Sequence, residues 1–559
     1  MSAEDESALK PEEVTPSVDA TVALPPEVKK ATPTTDAPLK DPDVADGSIR
    51  GVSTRNLPRH YSRAGVVNPK WILYTSVLLG VTVSMQYGWS TSQLNYKKFN
   101  KEADCNAIAY AKAHATEDDP FNATKFDGTC IIFPGHTKAD WTVVVNAWVV
   151  GGMIGSLAVG KISDLVGRKR VMLYNCGFII SGAAIQAAVS NIWAFAFGRF
   201  LAGIASGACT GCIGTYVNEI APPHLRSKLG IGLQGGINLG IVLVVTTHFY
   251  LDFDQGWRII AGFPIVLASL FLALSPFIMV ESPVWLMLHG HRKEAEKVLV
   301  QLYGEENVST ALAWIKPDKK PAAEADAEKQ TPCWSEVGHE TVIKGKGLTW
   351  GELFSVEMRR PLVVGMGLAC MQKLTGINSI FYYSSTLFGS GMDPRVSSII
   401  VAIVNLVPTL CSGVVAAKFG NRPMILFSTV GMCVSSIGIT LSLVYNEPGA
   451  TIALAAAFVF SFAICLGPIM FVVVAAVVPD HARGSVVSIG IFVAWAANLV
   501  VGIGYPYLAT ALENYKYLPF AVISALSTVF VYYLVPETSN LTTSEIQAVF
   551  KKIRGNGRF

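Results

Sequence analysis

Four amide side chains, Gln234, Gln372, Asn378 and Asn405, stand in stretches of sequence that are otherwise apolar. A carboxamide brings two N–H donors and an acceptor oxygen, and in a hydrocarbon environment it is costly unless it is paired or put to use. Such groups suit hydrogen bonding to an uncharged, hydroxyl-rich ligand in a pocket whose wall is apolar and carries an aromatic face. Their other use is as polar glue between helices. Lys373 follows Gln372 directly and adds a cation to the same stretch, aimed either into a cavity or away from one. Other reactive types offer less. Cys209 and Cys212 form a CxxC, but Gly207, Ala208, Gly211 and Gly214 around them indicate close helix packing rather than a metal or redox centre. No nucleophile–base pair, metal cluster or phosphate-binding loop is evident, so neither an enzyme nor a cofactor is expected.

The elements that must position these amides are membrane helices. Of the 559 residues 51% are hydrophobic and only 15% charged, against about a quarter charged in soluble domains. Apolar stretches near the length that crosses a ~30 Å hydrocarbon core fall at 71–92, 141–159, 171–189, 192–216, 229–250 and 257–280. A second set falls at 361–389, 396–417, 423–444, 451–477, 486–509 and 518–535. The expected fold is therefore all-α, with twelve transmembrane helices in two six-helix bundles. The bundles span 69–285, with an outer loop at 97–140, and 361–537. A cytoplasmic helical linker at 286–360 joins them, and cytoplasmic tails occupy 1–68 and 538–559. The first tail lacks any apolar period and is expected to be disordered. A net charge of +3 gives no case for nucleic acid; the expected surroundings are a lipid bilayer.

Lys161, Arg168, Lys169 and Arg170 join spans two and three, whereas the loop after span one mixes six lysines with seven acids. The positive-inside rule then puts both termini in the cytoplasm. Asn122 becomes an outward-facing glycosylation sequon, which favours the plasma membrane. Cys105 and Cys130 share that outer loop and are a possible disulfide.

An internal repeat supports the division into halves. Gly167-Arg168-Lys169 returns as Gly420-Asn421-Arg422, and Glu281-Ser282-Pro283 returns loosely as Glu537-Thr538-Ser539, at offsets of 253 and 256. Parallel six-helix repeats imply a site between them near mid-membrane.

Several motifs carry a family resemblance. They are Gly160-Lys-Ile-Ser-Asp164-Leu-Val-Gly167-Arg168-Lys169, Tyr216-Val-Asn-Glu219-Ile-Ala-Pro222 ending in Arg226, and Glu281-Ser-Pro283-Val-Trp285. Gln372-Lys-Leu-Thr-Gly376-Ile-Asn378, Tyr382-Tyr383 and Val535-Pro536-Glu537-Thr538 complete the set. Over about residues 71 to 540 the chain resembles the sugar porters of the major facilitator superfamily, including facilitative glucose transporters. The resemblance implies uniport of a hexose by alternating access. It assigns Gln234, Gln372, Asn378 and Asn405 to the sugar hydroxyls, Phe471 to the stacking aromatic, and Tyr382 and Tyr383 to an outer gate. Asp164, Arg168, Lys169, Glu219, Arg226, Glu281, Arg422 and Arg483 form a cytoplasmic charge network, expected to hold the halves together when the inner gate is shut.

Departures from the family pattern matter too. Lys373 replaces a second glutamine, Ala463 and Ala494 replace sugar-binding residues, and Ala417 and Ala476 replace acids, leaving Arg422 and Arg483 to find partners such as Asp480. A polyol or organic-acid carrier, or a non-transporting sensor, remains the competing reading. At the proton-coupling position Ser90 stands where coupled relatives carry Asp, so Arg199 lacks an acidic partner there. Lys373 and His248 are the remaining titrating candidates. Gly88, Gly376 and Gly467-Pro468 are expected to interrupt spans one, seven and ten.

Overall fold

The computed structural model describes residues 67–96, 99, 101–115, 130–315, 355, 358–387, 393–478, 483–539, 541 and 545–550. The sequon at Asn122, Asp480, nearly all of the expected 1–68 tail and residues 316–354 of the linker lie outside the described residues. Only helices and their connections occur among those described.

In the first half the spans are α1 (Trp71–Ser92), α3 (Lys138–Val166), α4 (Arg168–Ala188), α5 (Ile192–Ile220) and α6 (Pro223–Thr247). The sixth is divided into α7 (Gly256–Gly262) and α8 (Pro264–Ile278). In the second half the seventh span is α12 (Arg359–Leu374) with α13 (Ile377–Leu387), followed by α14 (Pro394–Phe419) and α15 (Asn421–Val444). The tenth is α16 (Pro448–Ser461) with α17 (Gly467–Val477), and α18 (Arg483–Leu512) and α19 (Leu518–Leu534) complete the bundle. Among the described residues nine helical spans are long and apolar enough to cross a membrane. The other three positions are held by α1, by the broken α12–α13 pair and by the 17-residue α19. Proline opens α6, α8, α14 and α16, where the N–H it lacks would have had no helical partner.

Two of the three expected interruptions occur. Gly376 takes φ +90° between α12 and α13, and a π-helical turn, Phe462–Leu466, precedes Gly467-Pro468. Gly88 does not break α1. A Cβ there would lie 1.7 Å from the Ile237 carbonyl oxygen, so this glycine lets α1 cross α6 at backbone contact. The same device joins α3 to α5: a Cβ on Gly151, Gly155, Gly203 or Gly207 would come within 2.0–2.1 Å of a carbonyl oxygen of the facing helix. Small residues four apart allow this approach.

The remaining helices lie outside the spans. Short α2 (Glu102–Ala113) lies in the loop after α1, and the Cys105–Cys130 disulfide ties it to the segment leading into α3. After α8 come α9 (Pro283–Leu288), α10 (Arg292–Tyr303) and α11 (Val308–Ile315). The apolar face of α10 (Ala295, Leu299, Leu302, Tyr303) is buried. The Tyr303 hydroxyl donates to the Ile220 carbonyl and Lys70 N–H donates to the Leu302 carbonyl at 2.7 Å. Burial pushes the Tyr303 phenol well above its ordinary range.

Gly207→Val should force α3 and α5 apart and lower the thermal unfolding midpoint of the detergent-purified protein by several degrees or more, since overpacking costs about 1–3 kcal/mol. Gly177→Val, where nothing lies within 4 Å of the added carbon, should leave the midpoint near wild type in the same scan.

Candidate functional site

Between the halves lies a narrow cavity of about 30 Å³. Its wall takes Tyr87 and Thr91 from α1, Gln234, Ile237, Asn238 and Ile241 from α6, and Asn405 from α14. Lys373, Ile377, Asn378 and Phe381 come from either side of the α12–α13 break, and Phe462 comes from the π-helical turn. Both interruptions thus supply wall residues, where irregular backbone is tolerated because it faces a cavity. The volume admits a water but is far below the ~300 Å³ of ordinary ligand pockets. The halves are closed around an unexpanded site.

The amides pair within their own halves, and Asn238 alone among them reaches across the gap. Gln234 Nε2 donates to Asn238 Oδ1 at 3.0 Å, and Asn238 Nδ2 donates to the Asn405 carbonyl at 3.0 Å and to Thr409 Oγ1 at 2.8 Å. Asn378 Nδ2 donates to Asn498 Oδ1, and Asn498 Nδ2 donates to the Tyr382 hydroxyl at 2.8 Å. Gln372 Nε2 donates to the Gly467 carbonyl at 2.9 Å, which fastens the broken seventh span to the broken tenth. Two acceptors are left over: Asn405 Oδ1 and Gln372 Oε1 are buried without a partner.

The structure therefore brings Gln234, Lys373, Asn378 and Asn405 to one wall. Gln372 stands beside that wall rather than in it. Phe471 is partly buried against the second-half core and does not line the cavity; Phe381 and Phe462 present rings there instead. Asn238 was missed by sequence reasoning, although it lies one helical turn after Gln234 and so on the same face.

Aromatic rings close the end that bears the disulfide. Tyr382 meets Trp148 edge-on at 6.4 Å, Trp148 meets Trp495 at 5.0 Å, and Tyr383 stacks on Tyr505 at 5.3 Å. Tyr383 is also the residue at which α13 loses helical dihedrals. Ser92 Oγ donates to the Phe381 carbonyl across the halves, and Arg395 Nη1 reaches Asp252 at 3.3 Å. Asp393 also holds Arg395, at 2.7 Å, and this hydrogen-bonded guanidinium keeps the Asp393 carboxyl below its usual range. His248 is buried nearby, stacked on Tyr96 at 5.2 Å, with Nε2 unpartnered.

At the opposite end lies the charge cluster. Arg168 donates to Glu219 through two nitrogens at 2.8 and 2.9 Å and lies 3.1 Å from Asp164. Glu281 accepts the backbone N–H groups of Arg168, Lys169 and Ser282, and Lys169 Nζ reaches the Met279 carbonyl at 2.6 Å. Arg226 Nε donates to the Ala221 carbonyl. The partners described for these groups belong to the first half, so these contacts tie that bundle together.

The second half repeats the arrangement with fewer charges. Glu537 accepts from Asn421 and Arg422 N–H, while Arg422 Nη2 donates to the Tyr532 carbonyl at 2.6 Å. Gly167 and Gly420 take φ +98° and +94° beneath Glu281 and Glu537. The Arg483 side chain lies outside the described residues. At the coupling position, Arg199 Nη1 donates to the Ser90 carbonyl at 2.8 Å, and its guanidinium lies 5.7 Å from the Trp148 ring.

A two-bundle all-α architecture with a polar cavity between the halves defines a multi-pass membrane carrier of the major facilitator fold. In agreement, the chain overlays the inward-open xylose transporter XylE from E. coli with a TM-score of 0.65 at 21% identity, covering 85% of this chain and 99% of that one. A family model described as "Sugar (and other) transporter" matches residues 76–550. Human solute carrier family 2, facilitated glucose transporter member 4, is 31% identical over 494 residues, 86% of this chain and 91% of the relative. The putative metabolite transport protein YwtG of Bacillus subtilis is 30% identical over 425 residues, 74% and 88% respectively. The chain belongs to the sugar transporter family, and it is a transporter rather than an enzyme.

Removing one partner of a buried ion pair strands the other charge at a cost of about 3–5 kcal/mol. Arg168→Ala should accordingly lower the unfolding midpoint sharply, and Arg168→Ala/Glu219→Ala should recover part of the loss. Equal losses in the two proteins would show that the pair does not act as a unit.

Proposed function

We propose that the protein carries a hexose such as glucose across the plasma membrane, down its gradient, with both termini in the cytoplasm. One observation carries this reading: the cavity between the halves is walled by amides and aromatic rings, and among the described residues no carboxylate lines it. The unpartnered oxygen of Asn405 is an acceptor for a sugar hydroxyl, and Gln234, Asn238 and Asn378 are donors that can exchange one another for the ligand. Gln372 holds the wall from behind. The facilitated glucose transporters among the relatives support the substrate class.

Passive transport follows from the sequence of the spans. None of the twelve apolar stretches contains Asp or Glu, and proton-driven carriers use buried acids as relays. Arg199 Nη1 donates to the Ser90 carbonyl, a contact that needs no proton exchange. In the cycle proposed, Tyr382, Tyr383 and the Asp252–Arg395 pair part to open the outer gate, with Gly376 and Gly467-Pro468 as the bending points. The cluster of Asp164, Arg168, Lys169, Glu219 and Glu281 keeps the first bundle rigid as it rocks. The Asn122 sequon then falls on the outer side, where it can be glycosylated.

Uptake of labelled glucose into empty proteoliposomes tests the reading. Wild type should equilibrate the label without accumulating it, with or without a pH gradient. Gln234→Ala/Asn405→Ala should cut flux at least tenfold, the loss expected from about two hydrogen bonds of ~1 kcal/mol each. Accumulation above equilibrium that a protonophore abolishes would overturn the passive assignment.

A further inference from the structure

Lys373 is the charged member of the cavity wall. Among the described residues no hydrogen bond, ion pair or aromatic face is recorded for its ammonium, unlike that of the cation in span four. Arg199 there has the Ser90 carbonyl and the Trp148 ring. Lys373 is partly buried; a lysine is ordinarily cationic at neutral pH, and here its ammonium faces a narrow cavity that admits little more than a water. Because the spans contain no Asp or Glu, rocking one bundle against the other cannot bring a carboxylate to it within the bilayer. Any carboxylate that neutralises it within the bilayer comes from outside the chain, and the cavity is the place where outside molecules arrive.

The cavity has a second unspent group. Asn405 is 1% exposed and its Oδ1 has no partner, so the same small space offers one cation and one neutral acceptor. A neutral sugar would satisfy the acceptor and leave the cation alone. We propose that the site takes sugar acids, hexuronates or hexonates. The single carboxylate accepts hydrogen bonds from Lys373 Nζ, and the hydroxyls engage Asn405 and the Gln234–Asn238 pair. This rests on the carrier reading above and narrows its substrate class. The charge count favours a monoanion, since one ammonium balances one carboxylate and leaves a second negative charge uncompensated.

The test uses the full chain in proteoliposomes, with labelled D-glucose and labelled D-glucuronate measured side by side in wild type, Lys373→Gln and Lys373→Arg. Wild type should take up glucuronate, and unlabelled glucuronate should compete with glucose. Uptake of the acid should generate a transient current on a supported membrane that glucose does not. Lys373→Gln should lower the ratio of glucuronate to glucose flux by at least about tenfold, the worth of one charge-assisted hydrogen bond, and Lys373→Arg should restore most of it. Glucose uptake by wild type with no glucuronate entry or competition would overturn the proposal and leave the carrier reading standing. An unchanged flux ratio in Lys373→Gln would overturn it as well. Failure of wild type to move either solute would sink the carrier reading, and this proposal with it. Should Lys373→Gln not fold, the wild-type competition result decides alone.

Discussion

A hydrocarbon medium offers no hydrogen bonds, so each amide, hydroxyl and cation inside the bilayer must be satisfied by the protein or by something the protein carries. That constraint organises this molecule. The side chains of Gln234, Asn238 and Asn378 are tied to other polar groups, and two of the ties, Asn238 to Asn405 and Thr409, cross from the first bundle to the second. The contacts that close the site are therefore made by the same groups a ligand would use. A hydroxylated ligand can substitute for them without leaving any group stranded, so closing the halves on cargo and closing them on each other can be near in energy.

The ends of the bundles obey a different rule. Glu281 and Glu537 sit at equivalent places in the two halves, each gathering backbone N–H groups at the start of a helix that follows a left-handed glycine. A carboxylate at a helix N-terminus is favoured both by those donors and by the helix dipole. Added to the α3–α5 crossing at backbone contact, these devices make each bundle stiff. Stiff bundles joined at a soft, amide-lined seam move as bodies, and the two span interruptions lie in that seam, where bending changes the cavity rather than the bundles.

Much of this was legible in the sequence because it follows from length and spacing. The twelve spans, the repeat that pairs Glu281 with Glu537, the breaks at Gly376 and Gly467-Pro468, and the Cys105–Cys130 bridge all emerge from local pattern. What failed depended on which neighbour a helix meets. Gly88 has the composition of a hinge but serves a close crossing with α6. Phe471 follows the Gly-Pro break, whereas the ring that lines the cavity comes from Phe462 in the π-helical turn before it. Around Arg168 it is Glu219 and Glu281, close within the same half, that take up the described contacts. Helix α2 and the amide of Asn238 carry no signal beyond ordinary loop composition and an i, i+4 spacing.

The most direct measurement is a structure of the purified protein with a bound hexose, at a resolution that places the ring hydroxyls. The account predicts sugar density between α6 and α14, a hydroxyl within hydrogen-bond distance of Asn405 Oδ1, and the Asn238–Thr409 contact lengthened or broken. Sugar bound elsewhere, with the amide contacts between the halves intact, would contradict it.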